Sequence, residues 1–370
     1  MDGKASGTAR FLDGDRVLRL ADPAERVETG PEGLAATLDR VAATPGWWAG
    51  WVAYDGRARL TRYLEATREP LPAPAAGPPP AAGKVTVSLD RDAYVAAVEA
   101  ARAAIGRGDI YQVNLCVRFD VEGVRVDAAT LWDGLVARLR PGYAGLVDDD
   151  DVRVASLSPE CFAEVDGGRV VSAPIKGTRP RGATPGEDAR LAAELAGSAK
   201  ERAENVMIVD LVRNDLARVA RLGSVRVPEL FRVATWPHLH HLVSTVEAEL
   251  AGGAGLGALF GALFPAGSIT GAPKLAAMAE IARLERAGRG VSMGAVGWVR
   301  STGDPAALRA RFGVAIRTVE LAGGRAWFCA GSGIVADSDP VAEHDELLLK
   351  ASALLAGLGV SEPPGPPRTG

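Results

Sequence analysis

Val152-Arg-Val-Ala-Ser-Leu-Ser-Pro-Glu-Cys-Phe-Ala-Glu-Val-Asp-Gly-Gly-Arg-Val-Val-Ser-Ala-Pro-Ile-Lys-Gly-Thr178 is the stretch on which the fold turns. Residues 152–158, 161–165 and 169–172 are short runs of apolar and β-branched residues, and Gly167-Gly168 supplies a tight turn between the last two. The three read as an antiparallel meander. Further strands are expected at 16–20, 46–54, 110–119, 224–234, 242–250, 291–300, 311–321 and 326–330. Helices are expected over 31–43, 91–106, 185–219, 274–285 and 340–356, with Pro273 near the start of the fourth. Strands gather in clusters instead of alternating with helices. That pattern implies an α+β fold of antiparallel sheets with helices packed outside.

Outward from that stretch, residues 1–69 read as a short N-terminal α+β region in which Trp47, Trp48 and Trp51 pack a core. The Pro/Ala/Gly-rich run at 70–84 cannot sustain a helix or a ladder and reads as a connector. Residues 85–358 form the main domain, and 359–370, rich in Pro and Gly, read as a disordered tail. The 42 Lys and Arg residues are scattered among 46 Asp and Glu, without the basic stripe that nucleic acid requires. The longest apolar run, 253–264, is shorter than the roughly 20 residues of a membrane helix. Three widely spaced cysteines give neither a disulfide framework nor a zinc pattern, and no apolar leader opens the chain. A cytoplasmic protein is expected.

Several residues have chemistry to offer. Glu201 and Glu204 lie three apart on one helix face, as do Glu343 and Glu346. Two such pairs can converge on one hard cation, for which oxygen ligands are suited. Equally, they can be solvated helix surface, and Glu346 with Lys350 makes an ordinary i,i+4 pair. Lys176 stands between Pro174 and Gly177, in a constrained turn after an apolar strand. Desolvated there, it would act as a nucleophile or base; left in water, it is one more loop lysine. Glu160, at a strand end, is either a general acid with a raised pKa or a turn residue. His241 belongs to a cluster with His238 and His240 that lacks acidic or thiol partners for zinc. The Gly-rich segments 266–274 and 330–335 are tight turns or carboxylate cradles, and Arg317 is a surface arginine or a bidentate clamp for such a carboxylate.

Taken in order along the chain, these segments carry more than they do singly. GDIYQVNL (108–115), SPECF, PIKGT, ENVMIVDLVRND (204–215), HLVSTVEAEL (241–250), FPAGSITGAPK (264–274), GAVGW, AIRT and GSGIVADSDP (331–340) resemble the chorismate-utilising enzymes. That family includes anthranilate synthase component I, aminodeoxychorismate synthase component I, and the isochorismate and salicylate synthases. The match covers about residues 86–357. It implies a two-sheet antiparallel β-sandwich like that of anthranilate synthase component I, with the active site between the sheets. It implies Mg²⁺ on Glu204 and Glu346, supported by Glu201 and Glu343. Glu160 matches the general acid for a leaving 4-hydroxyl, and His241 the ring-contacting histidine. Arg317, Gly331 and Gly333 match the pocket for the enolpyruvyl carboxylate, while Thr178, Thr270 and Lys350 match further substrate contacts.

Two positions separate the branches of the family. The isochorismate and salicylate synthases resemble one another in a water-activating lysine where this chain has Gln112, whose amide cannot take a proton from water. Anthranilate synthases typically read PIAGT where this chain reads PIKGT. The lysine version resembles aminodeoxychorismate synthase, in which Lys176 would add to C2 of chorismate before ammonia enters at C4. Ser292 stands where the family often places an aromatic facing substrate. None of the three cysteines sits in a glutaminase nucleophile motif, so ammonia is expected from a glutamine amidotransferase partner in a heterodimer, or from free ammonium. The alternatives are anthranilate synthase component I and a non-catalytic chorismate-binding subunit. The pathway is that of folate or of an aminobenzoate-derived secondary metabolite.

Overall fold

The computed structural model describes residues 7–73, 77–149, 151–237 and 239–360. His238 and the tail expected from Ser361 lie outside the described residues. The strands are β1 (Thr8–Asp13), β2 (Arg16–Thr29), β3 (Gly46–Val52), β4 (Ala58–Pro70), β5 (Val85–Val87), β6 (Gln112–Glu122), β7 (Tyr143–Asp148), β8 (Arg153–Ser158) and β9 (Cys161–Asp166). They continue with β10 (Arg169–Ala173), β11 (Ile175–Pro180), β12 (Arg226–Thr235), β13 (Leu239–Glu249), β14 (Gly271–Ala272), β15 (Ala295–Ser301), β16 (Arg309–Val314), β17 (Thr318–Ala322) and β18 (Arg325–Ile334). The helices are α1 (Leu34–Ala43), α2 (Arg91–Arg107), α3 (Ala128–Leu139), α4 (Pro185–Gly197), α5 (Ala199–Ala217), α6 (Leu256–Leu263), α7 (Gly267–Thr270), α8 (Lys274–Leu284) and α9 (Pro340–Gly357).

Every pairing is antiparallel. One layer runs β5–β6–β18–β17–β8–β7–β1–β2. The other runs β4–β3–β15–β16–β9–β10–β13–β12, with β11 also on β13. The long β2–β4 ladder joins them, and β2 bends at Asp22, whose φ is 56°, with a register shift after Pro23. β7 lies against β3, β15 and β16 of the facing layer. Phe11, Leu18 and Val147 therefore share a core with Ala49, Val291 and Val296. A second core packs α2, α3, α8 and α9 onto the first layer. A third packs α1, α5 and α6 onto the other, with Phe162, Phe260 and Phe312 at its centre. The expected two-sheet antiparallel sandwich with outer helices is the architecture found.

The opening stretch corrects one expectation. β9 and β10 form the hairpin across Gly167-Gly168, but β8 and β9 do not pair. β8 belongs to the first layer and β9 to the second. Pro159 has no N–H to extend a ladder. The Glu160 N–H turns back to the Ser158 hydroxyl at 3.1 Å, so the chain crosses between layers at Ser158-Pro-Glu160. The strand expected over 311–321 is likewise two, broken at Arg317, whose φ is 50°. The helix over 185–219 divides at Ser198, whose hydroxyl caps α5 by accepting from the Glu201 N–H. The N-terminal region is stitched into both layers through β1–β7 and β3–β15.

Candidate active site

Three interruptions of regular structure deliver candidate side chains. The crossing between layers delivers Glu160, the irregular β11 delivers Lys176, and the break after β16 delivers Arg317. β13 brings His241 opposite Thr178 in register. α5 carries Glu201 and Glu204, and α9 carries Glu343, Glu346 and Lys350.

Lys176, Glu160, Glu201, Glu204, Glu346 and Lys350 form one electrostatic cluster. Burial pushes the Lys176 ammonium below the usual lysine range; Glu204, Glu160 and Glu201 pull it back, while Lys350 adds to the lowering. A methyl group on Gly333 would stand 3.3 Å from Lys176 Nζ and 2.9 Å from Gln112 Nε2, so glycine there is what lets β18 meet the lysine. Gln112 is fully buried, and neither amide atom is hydrogen-bonded among the described residues. Burial lifts the Glu160 carboxyl to about 7, against the opposing pull of a Ser268 hydrogen bond and of Lys176. Burial also raises Glu204, with Lys176 opposing and the like charges of Glu201 and Glu343 adding to the rise. Burial works against the Glu346 carboxylate, but Lys350 Nζ at 2.7 Å outweighs it, and the net shift is downward.

His241 is held at about 3 by burial and by the Arg317 charge, so its imidazole is neutral at physiological pH. Its Nδ1 has no hydrogen-bond partner among the described residues. Arg317 is disfavoured as a cation by burial, and no carboxylate among the described residues pairs with it. A buried guanidinium facing a neutral imidazole is a place for an incoming carboxylate.

Other expected contacts sit differently. Thr270 is buried, and its hydroxyl donates to the Ala266 carbonyl at 2.9 Å. Thr178 is exposed. Ser292 does not look into the pocket: its hydroxyl donates to Thr318 O at 2.8 Å and accepts from the Cys329 N–H at 3.1 Å. Lys350 also donates to Gly331 O at 3.1 Å. Gly331 packs so closely on β6 that a Cβ would lie 2.6 Å from Cys116 Sγ. Glu343 accepts from the Ser338 hydroxyl at 2.7 Å, and Glu201 from Arg179 at 3.4 Å.

Sequence reasoning overlooked the support beneath the pocket. Glu285 and Arg289 are both buried and bonded at 2.6 Å. Glu285 accepts from the Cys116 N–H at 2.8 Å, and Arg289 donates to Asn114 O and Ile269 O, each at 2.7 Å. Arg289 also lies 4.5 Å from the centre of the Tyr54 ring. Asn114 and Cys116 pair with Gly333 and Gly331, so this ion pair fixes the strand behind both glycines. In sequence it is an i,i+4 pair like any on a helix surface.

Among the described residues, no group of three or more His, Cys, Asp or Glu side chains stands close enough to hold an ion unaided. The acids offered, Glu201 and Glu204 on α5 and Glu343 and Glu346 on α9, are all oxygen donors. That set suits an ion taking one or two protein carboxylates and completing its shell with water and substrate oxygens, as Mg²⁺ does.

The sandwich is an architecture shared with solved structures. Anthranilate synthase component I from Streptococcus pneumoniae superposes with a TM-score of 0.79 at 25% identity, over 93% of this chain and 91% of that one. Residues 50–356 match the model of the chorismate binding enzyme family, and the chain belongs to that family. It is 40% identical to an aminodeoxychorismate synthase of Streptomyces griseus over 98% of this chain and 48% of that relative. It is 38% identical to aminodeoxychorismate synthase component 1 of Bacillus subtilis, over 77% of this chain and 59% of that relative. The chain thus spans about half the length of these curated relatives.

Proposed function

We propose that the chain aminates chorismate at C4, as the ring-aminating component of an aminodeoxychorismate synthase. The observation that carries the reading is the amine of the half-buried Lys176, which stands against Gly333 and feels the carboxylates of Glu204 and Glu160. Burial favours its neutral, nucleophilic form. Arg317, with His241 beside it, takes the enolpyruvyl carboxylate. The Lys176 amine adds to C2, the ring double bonds shift, and Glu160 gives its proton to the 4-hydroxyl, which leaves as water. Ammonia then adds at C4 and the C2–N bond breaks, returning Lys176 as a free amine. Mg²⁺ on Glu204 and Glu346, with Glu201 and Glu343 behind them, would supply charge neutralisation for the ring carboxylate.

The relative named a component 1 supports a separate ammonia source, and we assign that role to a glutaminase partner. Three free, buried thiols agree with a reducing cytoplasm. The test is product mass after incubation with chorismate, Mg²⁺ and ammonium. Aminodeoxychorismate, with its enolpyruvyl group retained, is expected. Anthranilate would place the chain in the sister branch, and no turnover would mark a binding subunit. Glutamine should replace ammonium only when a glutaminase is added.

A further inference from the structure

One cavity among the described residues borders Glu160 but none of Lys176, Gly333, His241 or Arg317. It lies between the inner face of α5, at Ile208, Val212 and Asp215, and the layer that carries Ser172. With a volume of ≈ 10 Å³ it holds about one water-sized molecule. Its wall is apolar except for Glu160, Ser172, Ser268 and Asp215, all buried. Asp215 is neutralised by Lys274 Nζ at 2.7 Å, which also donates to Leu263 O at 2.8 Å. That pair has no part in the mechanism above, yet its Asp215 lines the same cavity as Glu160.

We propose that this cavity is the station from which ammonia reaches the ring; the inference rests on the amination reading. A ring seated against Lys176 and Gly333 closes the front of the pocket. The second nucleophile must nevertheless arrive at the carbon whose hydroxyl Glu160 has just discharged. A molecule waiting behind Glu160 has that carboxyl as its neighbour. The bookkeeping of protons then closes on one group. Glu160 loses a proton to the departing hydroxyl, which leaves as water. Ammonia forms the C4–N bond as the C2–N bond to Lys176 breaks, with the electron pair returning to the lysine. The new C4 ammonium gives its extra proton to Glu160, restoring the acid.

The experiment fills the cavity from opposite walls with Ser172→Val and Val212→Ile, each a net gain of one heavy atom, and enlarges it with Val212→Ala. Steady-state kinetics use ammonium chloride as the nitrogen source. Both filling variants should raise KM for ammonium by about tenfold, leaving KM for chorismate and the thermal midpoint near wild type. Val212→Ala should leave the ammonium KM unchanged or lower it. Folded filling variants with an unchanged ammonium KM would make the cavity a water site and end the proposal. So would an equal rise in both KM values, or a Val212→Ala enzyme impaired for ammonium. A wild-type chain that gives no aminated product overturns the amination reading itself, which is a different result from any of these.

Discussion

Two buried charge centres lie close together in this fold, and they are built on opposite terms. Around Arg289 every demand is met: a 2.6 Å ion pair, two main-chain carbonyls, an aromatic face, and a backbone N–H for Glu285. Around Lys176 demands are left open. The lysine is desolvated, Glu160 is lifted to about 7, and among the described residues Arg317 lacks an acid and the Gln112 amide a partner. Satisfied groups hold a shape, whereas under-satisfied ones store reactivity for a ligand that completes them. The first centre supports the strand and helix against which the second works.

The sharpest way to break this contrast is Lys176→Met. Amination should fall by roughly a thousandfold or more, while the thermal midpoint holds or rises, because a desolvated amine gives way to an apolar side chain. A midpoint that fell instead would make Lys176 a structural residue like Arg289. Arg289→Met should do the reverse, since it leaves Glu285 buried and uncompensated. A loss of about 3–5 kcal/mol in urea unfolding is expected, with much of it recovered in the Glu285→Leu/Arg289→Met double variant.

Glu160→Gln sharpens the comparison through pH. The folded carboxyl titrates near 7 and the unfolded one near 4.5, so the folded state keeps its proton longer. Stability is therefore lost as pH rises between those values and stays lower above them. The glutamine variant should be more stable than wild type at pH 8, by up to about 3 kcal/mol, and should show no advantage at pH 4. Calorimetric midpoints across that range check the sign. Wild-type turnover should also decline above pH 7 as Glu160 loses its proton. The smallest effect belongs to Lys350→Gln. Its pair with Glu346 is half-exposed, so stability should change by less than about 1 kcal/mol in the same unfolding assay.

How far these centres were legible in the sequence follows from the range of the forces involved. The β9–β10 hairpin was readable because Gly167-Gly168 is a local turn signal. The separation of β8 from β9 was not, because their neighbours, β17 and β16, lie far away in the chain. Arg317 interrupts a strand with a positive φ, a conformation that an arginine does not advertise. α3 carried a legible signal that went unused: Asp127 caps it by accepting from the Thr130 N–H. β4 escaped notice because its second half, around Glu65, is exposed and polar. In the site, residue spacing alone left Lys176 and the acid pairs undecided. The ordered segments imply roles for them only through resemblance to a family, and the structure brings Lys176, Glu201, Glu204 and Glu346 into one electrostatic cluster. The Glu285–Arg289 pair stayed hidden because an i,i+4 pair looks the same buried or solvated until its neighbours are known.

The pairing of β6 with β18 has a consequence for how the molecule is made. Val113 meets Ile334, so the first of these strands keeps an open edge until a partner more than 200 residues further on has left the ribosome. Such an edge invites pairing with other nascent chains. Folding dominated by such distant partners is slow. The glycines that admit Lys176 and the helix bearing Glu343 arrive in the same late segment, so a stalled chain would hold the lysine without the wall that gives it a task.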